Sequence, residues 1–126
     1  MRDIVHNIGL KQAIAPAVAA ASADGSSIDL KGFGRVAFAI STGAIVGDGD
    51  FSVKVQEGDN GTTFTDAPAS AVIGTVPATL EAASIYKVGY IGFKRYARLA
   101  LTKAGGTSIA LSAVAVLGDA ASRPVA

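Results

Sequence analysis

The sequence predicts an all-β chain: a β-sandwich or jelly-roll-like domain of about seven or eight short strands behind an extended N-terminal arm. Three observations carry the prediction. Apolar and polar residues alternate with period two in several separate stretches. Clusters rich in Gly, Asp and Ser separate those stretches at short intervals. Almost no stretch repeats its apolar residues at the helical period.

Residues 1–24 read as the arm, because "MRDIVHNIGLKQAIAPAVAAASAD" sustains neither period. Within it, residues 10–15 are expected to make one or two helical turns ahead of Pro16, which turns the preceding residue away from the helical region. Residues 17–22 read as extended, and "DGSS" at 24–27 is a turn signal. The sandwich domain then fills residues 25–126. Residues 27–31 put Ile28 and Leu30 on one face, and "GFG" interrupts them. Residues 35–41 direct Val36, Phe38 and Ile40 one way, and "STGAIVGDGD" carries several turn residues. Residues 51–57 are the cleanest strand, with Phe51, Val53 and Val55 inward and Ser52, Lys54 and Gln56 outward. Residues 62–66 set Thr63 and Thr65 against Phe64, and a short strand is expected near 72–75. Residues 84–91 are strand-like, with a turn at Gly92 and Phe93. Residues 94–103 align Ala97, Leu99 and Leu101, and "AGG" at 104–106 reverses the chain. Residues 107–117 are apolar on both faces, as a central or interface strand would be. The tail "GDAASRPVA" has no periodic pattern.

The chain has 126 residues, which fits one domain with a core of its own. It has no cysteine, so disulfides, thiolate metal sites and cysteine nucleophiles are excluded. The net charge of +1 gives no general case for nucleic-acid binding. The longest apolar run is too short to span a bilayer as a helix. Asp3 and Pro16 argue against an export signal in residues 1–24. Hydrophobic residues make up 50% of the chain and charged residues only 17%. Mean hydropathy is +0.44. A small domain this poor in charge is expected to bury part of its outer surface against other subunits.

The densest polar stretch, "VQEGDNGTTFTD" at 55–66, raises the question of a metal loop. Glu57 and Asp59, with Asp48 and Asp50 from the preceding loop, are the weak candidates for a cation site, and Asn60 and Asp66 add oxygens. Their spacing is not that of an EF-hand. The expected reading is a tight hairpin turn at Asn60 and Gly61, both of which tolerate positive φ, with no metal and no cofactor. "KVGYIGFKRYARL" at 87–99 interleaves aromatic and basic residues, which is one way to bind single-stranded nucleic acid. The turn at Gly92 breaks the continuous strand that such a motif needs, so no nucleic-acid partner is expected. Tyr96 and Arg98 are expected to share a strand face as a cation–π pair. Lys94, Arg95 and Arg98 suit acidic groups on a partner protein. His6, the single histidine, has no nucleophile and orienting acid around it in sequence, so no catalytic site is expected.

Taken in order, "AIAPAV", "IDLKGFGRVAFAISTG", "DGDFSVKVQEGDNGTTFTD", "IYKVGYIGFKRYARLALT" and "AVAVLGDAASRPVA" resemble a family of small structural proteins encoded in tailed-bacteriophage head gene clusters. The resemblance covers nearly the whole chain and rests on the order of the motifs. It implies a capsid decoration, or cement, protein: an oligomeric virion protein on the capsid surface, assembled in the host cytoplasm, whose partners are the major capsid protein and copies of itself. It implies no catalytic residue, no cofactor, and neither a nucleic-acid nor a membrane partner. A tail or head–tail joint protein is the alternative placement, and a surface carbohydrate-binding module is the alternative function. On this reading the arm clamps neighbouring subunits, and Arg2, Ile4, Val5, Leu10, Ile14, Lys94, Arg95 and Arg98 are the expected interface residues.

Overall fold

The computed structural model describes residues 2–121. Ten strands follow one another along the chain: β1 (Gly9–Ala19), β2 (Ala23–Asp24), β3 (Ile28–Asp29), β4 (Phe33–Val46), β5 (Asp50–Gly58), β6 (Thr65–Asp66), β7 (Val72–Ile73), β8 (Ile85–Tyr90), β9 (Tyr96–Gly105) and β10 (Ser108–Ala120). The helical residues among those described form a single 3-10 turn, Ala69–Ala71, and no described helix is long and apolar enough to cross a membrane. The front sheet has the order β1-β10-β4-β8-β7. The back sheet has the order β2-β9-β5-β6, with β3 also paired to β9. Every pairing is antiparallel. The fold is thus the expected β-sandwich, with more strands than expected because four of the ten are only two residues long.

The core is the set of inward positions that the alternation marks. The front sheet contributes Val36, Phe38 and Ile40 from β4, Val88 and Tyr90 from β8, and the odd-numbered residues from Ile109 to Leu117 of β10. The back sheet contributes Phe51, Val53 and Val55 from β5 and Ala97, Leu99 and Leu101 from β9. Two corners at one end carry the chain between sheets. Gly47 (φ 60) and Asp48 (φ 55) lead from β4 to β5, and Gly106 (φ 74) leads from β9 to β10. The corners stack: a Cβ on Gly106 would press on the Asp48 backbone, and one on Gly47 would press on Thr107. Glycine is therefore needed at Gly106 for both its φ and its close approach.

Several expectations change. Residues 10–15 are strand, not helix, because β1 pairs with β10 from Gly9↔Leu117 to Ala19↔Ile109. Two register shifts, between Gln12 and Ile14 and between Ile14 and Ala17, hide its period and accommodate Pro16, which cannot donate to a ladder. The segment expected as an arm therefore supplies an edge strand and a fully buried Ala13, and residues 2–8 precede the sheet. β4 runs through "STGAIV" instead of turning there, which confines the turn to residues 47–49. The strand expected over 62–66 shrinks to Thr65–Asp66. In the tail, residues 118–120 extend β10, while residues 122–126, the last five of the expected domain, lie outside the described residues.

Candidate functional site

A cation site in the acid-rich loops would be the sharpest chemistry in this sequence. The structure does not gather their carboxylates. Asp48 forms the corner between the sheets. Asp50 accepts a hydrogen bond from Thr79 Oγ1 (2.8 Å). Glu57 accepts one from the Tyr90 hydroxyl (2.7 Å). Asp59 pairs with Lys94 Nζ (3.1 Å). Asp66 accepts from Lys54 and Gln56, and those two contacts, Gln56 first, hold its carboxyl below the usual carboxylate range. Among the described residues no three His, Cys, Asp or Glu side chains converge as metal ligands would.

The chain does reverse between β5 and β6, but not through the expected tight turn. Neither Asn60 nor Gly61 has a positive φ. Residues 59–64 form a wider loop closed by one side chain: Asn60 Oδ1 accepts from Thr62 N (3.0 Å), Thr63 N (2.7 Å) and Thr62 Oγ1 (3.0 Å). This is local side-chain capping by Asn, a different use of the same residue.

The two outer faces of the sandwich differ in kind. The back face is polar and internally paired. Arg98 donates Nε to Gln56 Oε1 (2.8 Å), lies 3.5 Å from Asp24 through Nη2, and stacks over the Phe64 ring (4.3 Å to the centroid). The expected Tyr96–Arg98 pair is thus replaced by Arg98 over Phe64, while Arg95 covers Tyr96 (5.1 Å). Lys54 joins Asp66 across the β5–β6 pair.

The front face is nearly free of charge. Strand register aligns Leu10, Val116, Ala37, Gly89 and Ile73 in one row across all five strands. The next row is Gln12, Val114, Ala39 and Lys87, and a third joins Ser112, Ser41 and Ile85. Leu10, Ile73, Ile85 and Val114 are all exposed. The rows carry one charge, Lys87, and Arg35 stands at their margin with Asp119 3.9 Å away. Eight of these twelve positions are apolar or Gly, and an exposed sheet face so poor in charge is a candidate interaction surface.

The end of the sandwich opposite the corners extends this face. There Ile91 and Phe93 are exposed, and Phe93 at 93% is the most exposed of the large apolar side chains among the described residues; Ile4 and Val5, ahead of β1, are exposed too. Beside Phe93 lies a cleft of about 400 Å³ between the turn ahead of β4 and the β8–β9 connection. Leu30, Phe33, Val36, Tyr90 and Phe93 give it apolar walls, and Lys31, Arg35, Lys94 and Arg95 give it a basic rim with no acidic residue in the lining.

Of the expected interface residues, Arg2, Ile4, Val5 and Leu10 are exposed. Ile14 is half-buried against the core. Lys94, Arg95 and Arg98 are committed within the chain, to Asp59, Asp29 and Asp24 respectively. Outside that set, Ala37, Ala39, Val114 and Val116 build the front face. The apolar character of both faces of 107–117 was their sequence signal. His6 sits in a local turn, with Nδ1 2.6 Å from Asp3 Oδ2, and both side chains are exposed.

No family model matches the chain, and no curated protein sequence does. Among solved structures, the SPBc2 prophage-derived protein YomS is similar, with a TM-score of 0.53 and 11% identity over 92% of this chain and 98% of that one. At that identity the likeness is one of fold.

Proposed function

We propose that this chain is a structural protein of a tailed-phage particle, without enzymatic activity, and that it serves as a capsid decoration or cement protein. In this role it spans neighbouring major capsid protein subunits, in many copies, on the outside of the shell. The observation that carries the reading is the nearly uncharged front face, five strands wide, on a chain whose opposite face is polar and paired. A cement protein works by adding buried area across subunit boundaries, and a flat apolar sheet supplies it without reorganising the fold. The motif order that resembles phage head-cluster proteins supports the phage assignment. So does a fold shared with a prophage-derived protein. The clamping role expected of the whole arm narrows to residues 2–8, since β1 is committed to its own sheet.

Val114 and Ala39, paired across β10 and β4, mark the middle of the face. Val114→Glu and Ala39→Glu should leave the free chain folded and strip it from particles assembled with the major capsid protein. Thr102→Glu, on the back face, should leave occupancy unchanged. Full occupancy of the two front-face variants would sink the reading. Recovery of the unmodified chain with purified tails rather than heads would move it to the tail or the head–tail joint.

A further inference from the structure

The front face is too small to account for stable binding alone. The three rows hold twelve outward positions, each about 4.8 Å by about 6.8 Å, and so cover on the order of 400 Å². A standard interface takes about 800 Å² from each partner. Whatever covers this face must reach past its margin. The margin richest in exposed apolar groups is the end with the cleft, where Ile91 and Phe93 continue the surface and Arg35 stands at the join.

We propose that the cleft lined by Leu30, Lys31, Phe33, Arg35, Phe93 and Lys94 receives an acidic loop, carrying an apolar side chain, from the protein that covers the front face. The inference rests on the function proposed above. Charge complementarity selects the occupant. Four cations rim the cleft and no carboxylate lines it. The acids nearby are already engaged: Asp29 holds Arg95 through two bonds (3.0 and 2.9 Å), Asp59 holds Lys94 (3.1 Å), and Asp119 reaches Arg35 only at 3.9 Å. Lys31 has no acidic partner among the described residues; Asp29 instead accepts from its backbone N–H (3.0 Å). An incoming carboxylate therefore meets Lys31 and the loosely held Arg35, while its apolar neighbour is taken up between Phe33 and Phe93. Phe93 is pre-placed for this contact, and Lys94 Nζ sits 5.6 Å from its ring centroid. The back face offers nothing equivalent, because its cations and acids are matched in place. A second copy docking by its own cleft would bring two basic rims together, which disfavours self-association here.

The probes are two blocked pentapeptides, Gly-Glu-Leu-Asp-Gly and its uncharged counterpart Gly-Gln-Leu-Asn-Gly, titrated into the labelled full chain by NMR. The acidic peptide should shift the amides of Gly32, Gly34 and Gly92, saturably and less at high salt. The uncharged one should bind about tenfold more weakly, a difference of about 1.4 kcal/mol. Lys31→Glu and Phe93→Ser, both at exposed positions, should each abolish the shifts while the core resonances stay in place. Equal binding of the two peptides, or shifts that survive Lys31→Glu, would overturn the proposal. On particles, Lys31→Glu combined with Phe93→Ser should lower occupancy. Full occupancy of that double variant, with loss for Val114→Glu, overturns the cleft and leaves the cement reading standing. Full occupancy of both overturns both.

Discussion

The Tyr90 hydroxyl of β8 donates to Glu57 Oε1 of β5 at 2.7 Å and joins the two sheets at the cleft end. The same oxygen accepts the Lys94 backbone N–H (3.2 Å) and so fixes the β8–β9 connection that carries Phe93. Tyr90 is almost fully buried, and its phenol is pushed up to about 12, first by burial and then by Glu57. Tyr90→Phe is expected to destabilise the chain by about 1–2 kcal/mol at neutral pH, since it unpairs two polar partners. The sign with pH follows from the raised value. The unfolded phenol ionises near pH 10 and the folded one later, so this contribution is whole below about pH 10 and fades as pH rises toward 12. Urea titrations of both proteins should therefore converge in strong alkali. A gap that stays constant through that range would refute the inter-sheet bond as its source.

Thr42 should respond just as clearly, from the opposite half of the fold. It is buried, and its hydroxyl donates to Glu81 O (2.5 Å) and accepts from Ser84 N (2.9 Å). It pins the loop ahead of β8 to the middle of β4. Thr42→Val keeps the shape and strands the Ser84 N–H, at a cost of about 1–3 kcal/mol. Amide exchange should accelerate across residues 80–84 first. Unchanged protection there would show that the hydroxyl does not hold the loop.

The alternation in β4, β5, β9 and β10 made the core legible, because a sheet with one buried face imposes period two on its sequence. Three features were not legible, each for a physical reason. β1 loses its period at two register shifts, and its partner β10 lies some ninety residues further on, so no local signal marks it. Asn60 offers both a permissive backbone and a capping side chain, and nothing local says which is used; here the side chain is. The outer faces are the third. Alternation tells that Val114 and Ala39 leave the core, but only the register between β10 and β4 makes them neighbours. The cleft depends on the same long-range pairing, since Lys31 and Phe93 meet only when β4 and β8 lie side by side.

Asn60→Ala tests the capped loop. It removes the acceptor of two backbone N–H groups and one hydroxyl, and should cost about 0.5–2 kcal/mol, the range of cap losses. Calcium or a chelator should leave the melting temperature of both proteins unchanged, because Glu57 and Asp59 are held by Tyr90 and Lys94 rather than by each other. A rise in melting temperature with calcium that Asn60→Ala abolishes would restore the metal loop.

Gly106→Ala should be among the most damaging single-atom changes in the chain. The φ of +74° is costly for an L side chain, and the added Cβ would press on the carbonyl of Asp48 in the stacked corner. A loss of about 2–3 kcal/mol is expected. Gly105→Ala next to it meets nothing within 4 Å and should be nearly silent. Similar denaturation midpoints for the two variants would mean that the corners do not pack as described.

Asp29 gives the acid counterpart of Tyr90. Arg95 donates to it through Nε and Nη2, the Lys31 N–H adds a third bond, and together, Arg95 first, they hold its carboxyl far below the usual carboxylate range. A depressed folded value means that the unfolded chain takes up the proton first. The contribution is therefore complete above about pH 4, shrinks as pH falls below it, and vanishes once the folded group is protonated too. Asp29→Asn should be less stable than the parent at neutral pH and approach it in acid. The pair is partly open to solvent, so the gap should be modest and should narrow with salt. The variant has a second effect at the cleft. It releases Arg95 from its carboxylate and adds an unmatched cation to the rim, so the acidic pentapeptide should bind more tightly to Asp29→Asn than to the parent. Weaker peptide binding would mean that Asp29 is needed to position Arg95, and that the basic rim works as an ordered unit rather than as a sum of charges.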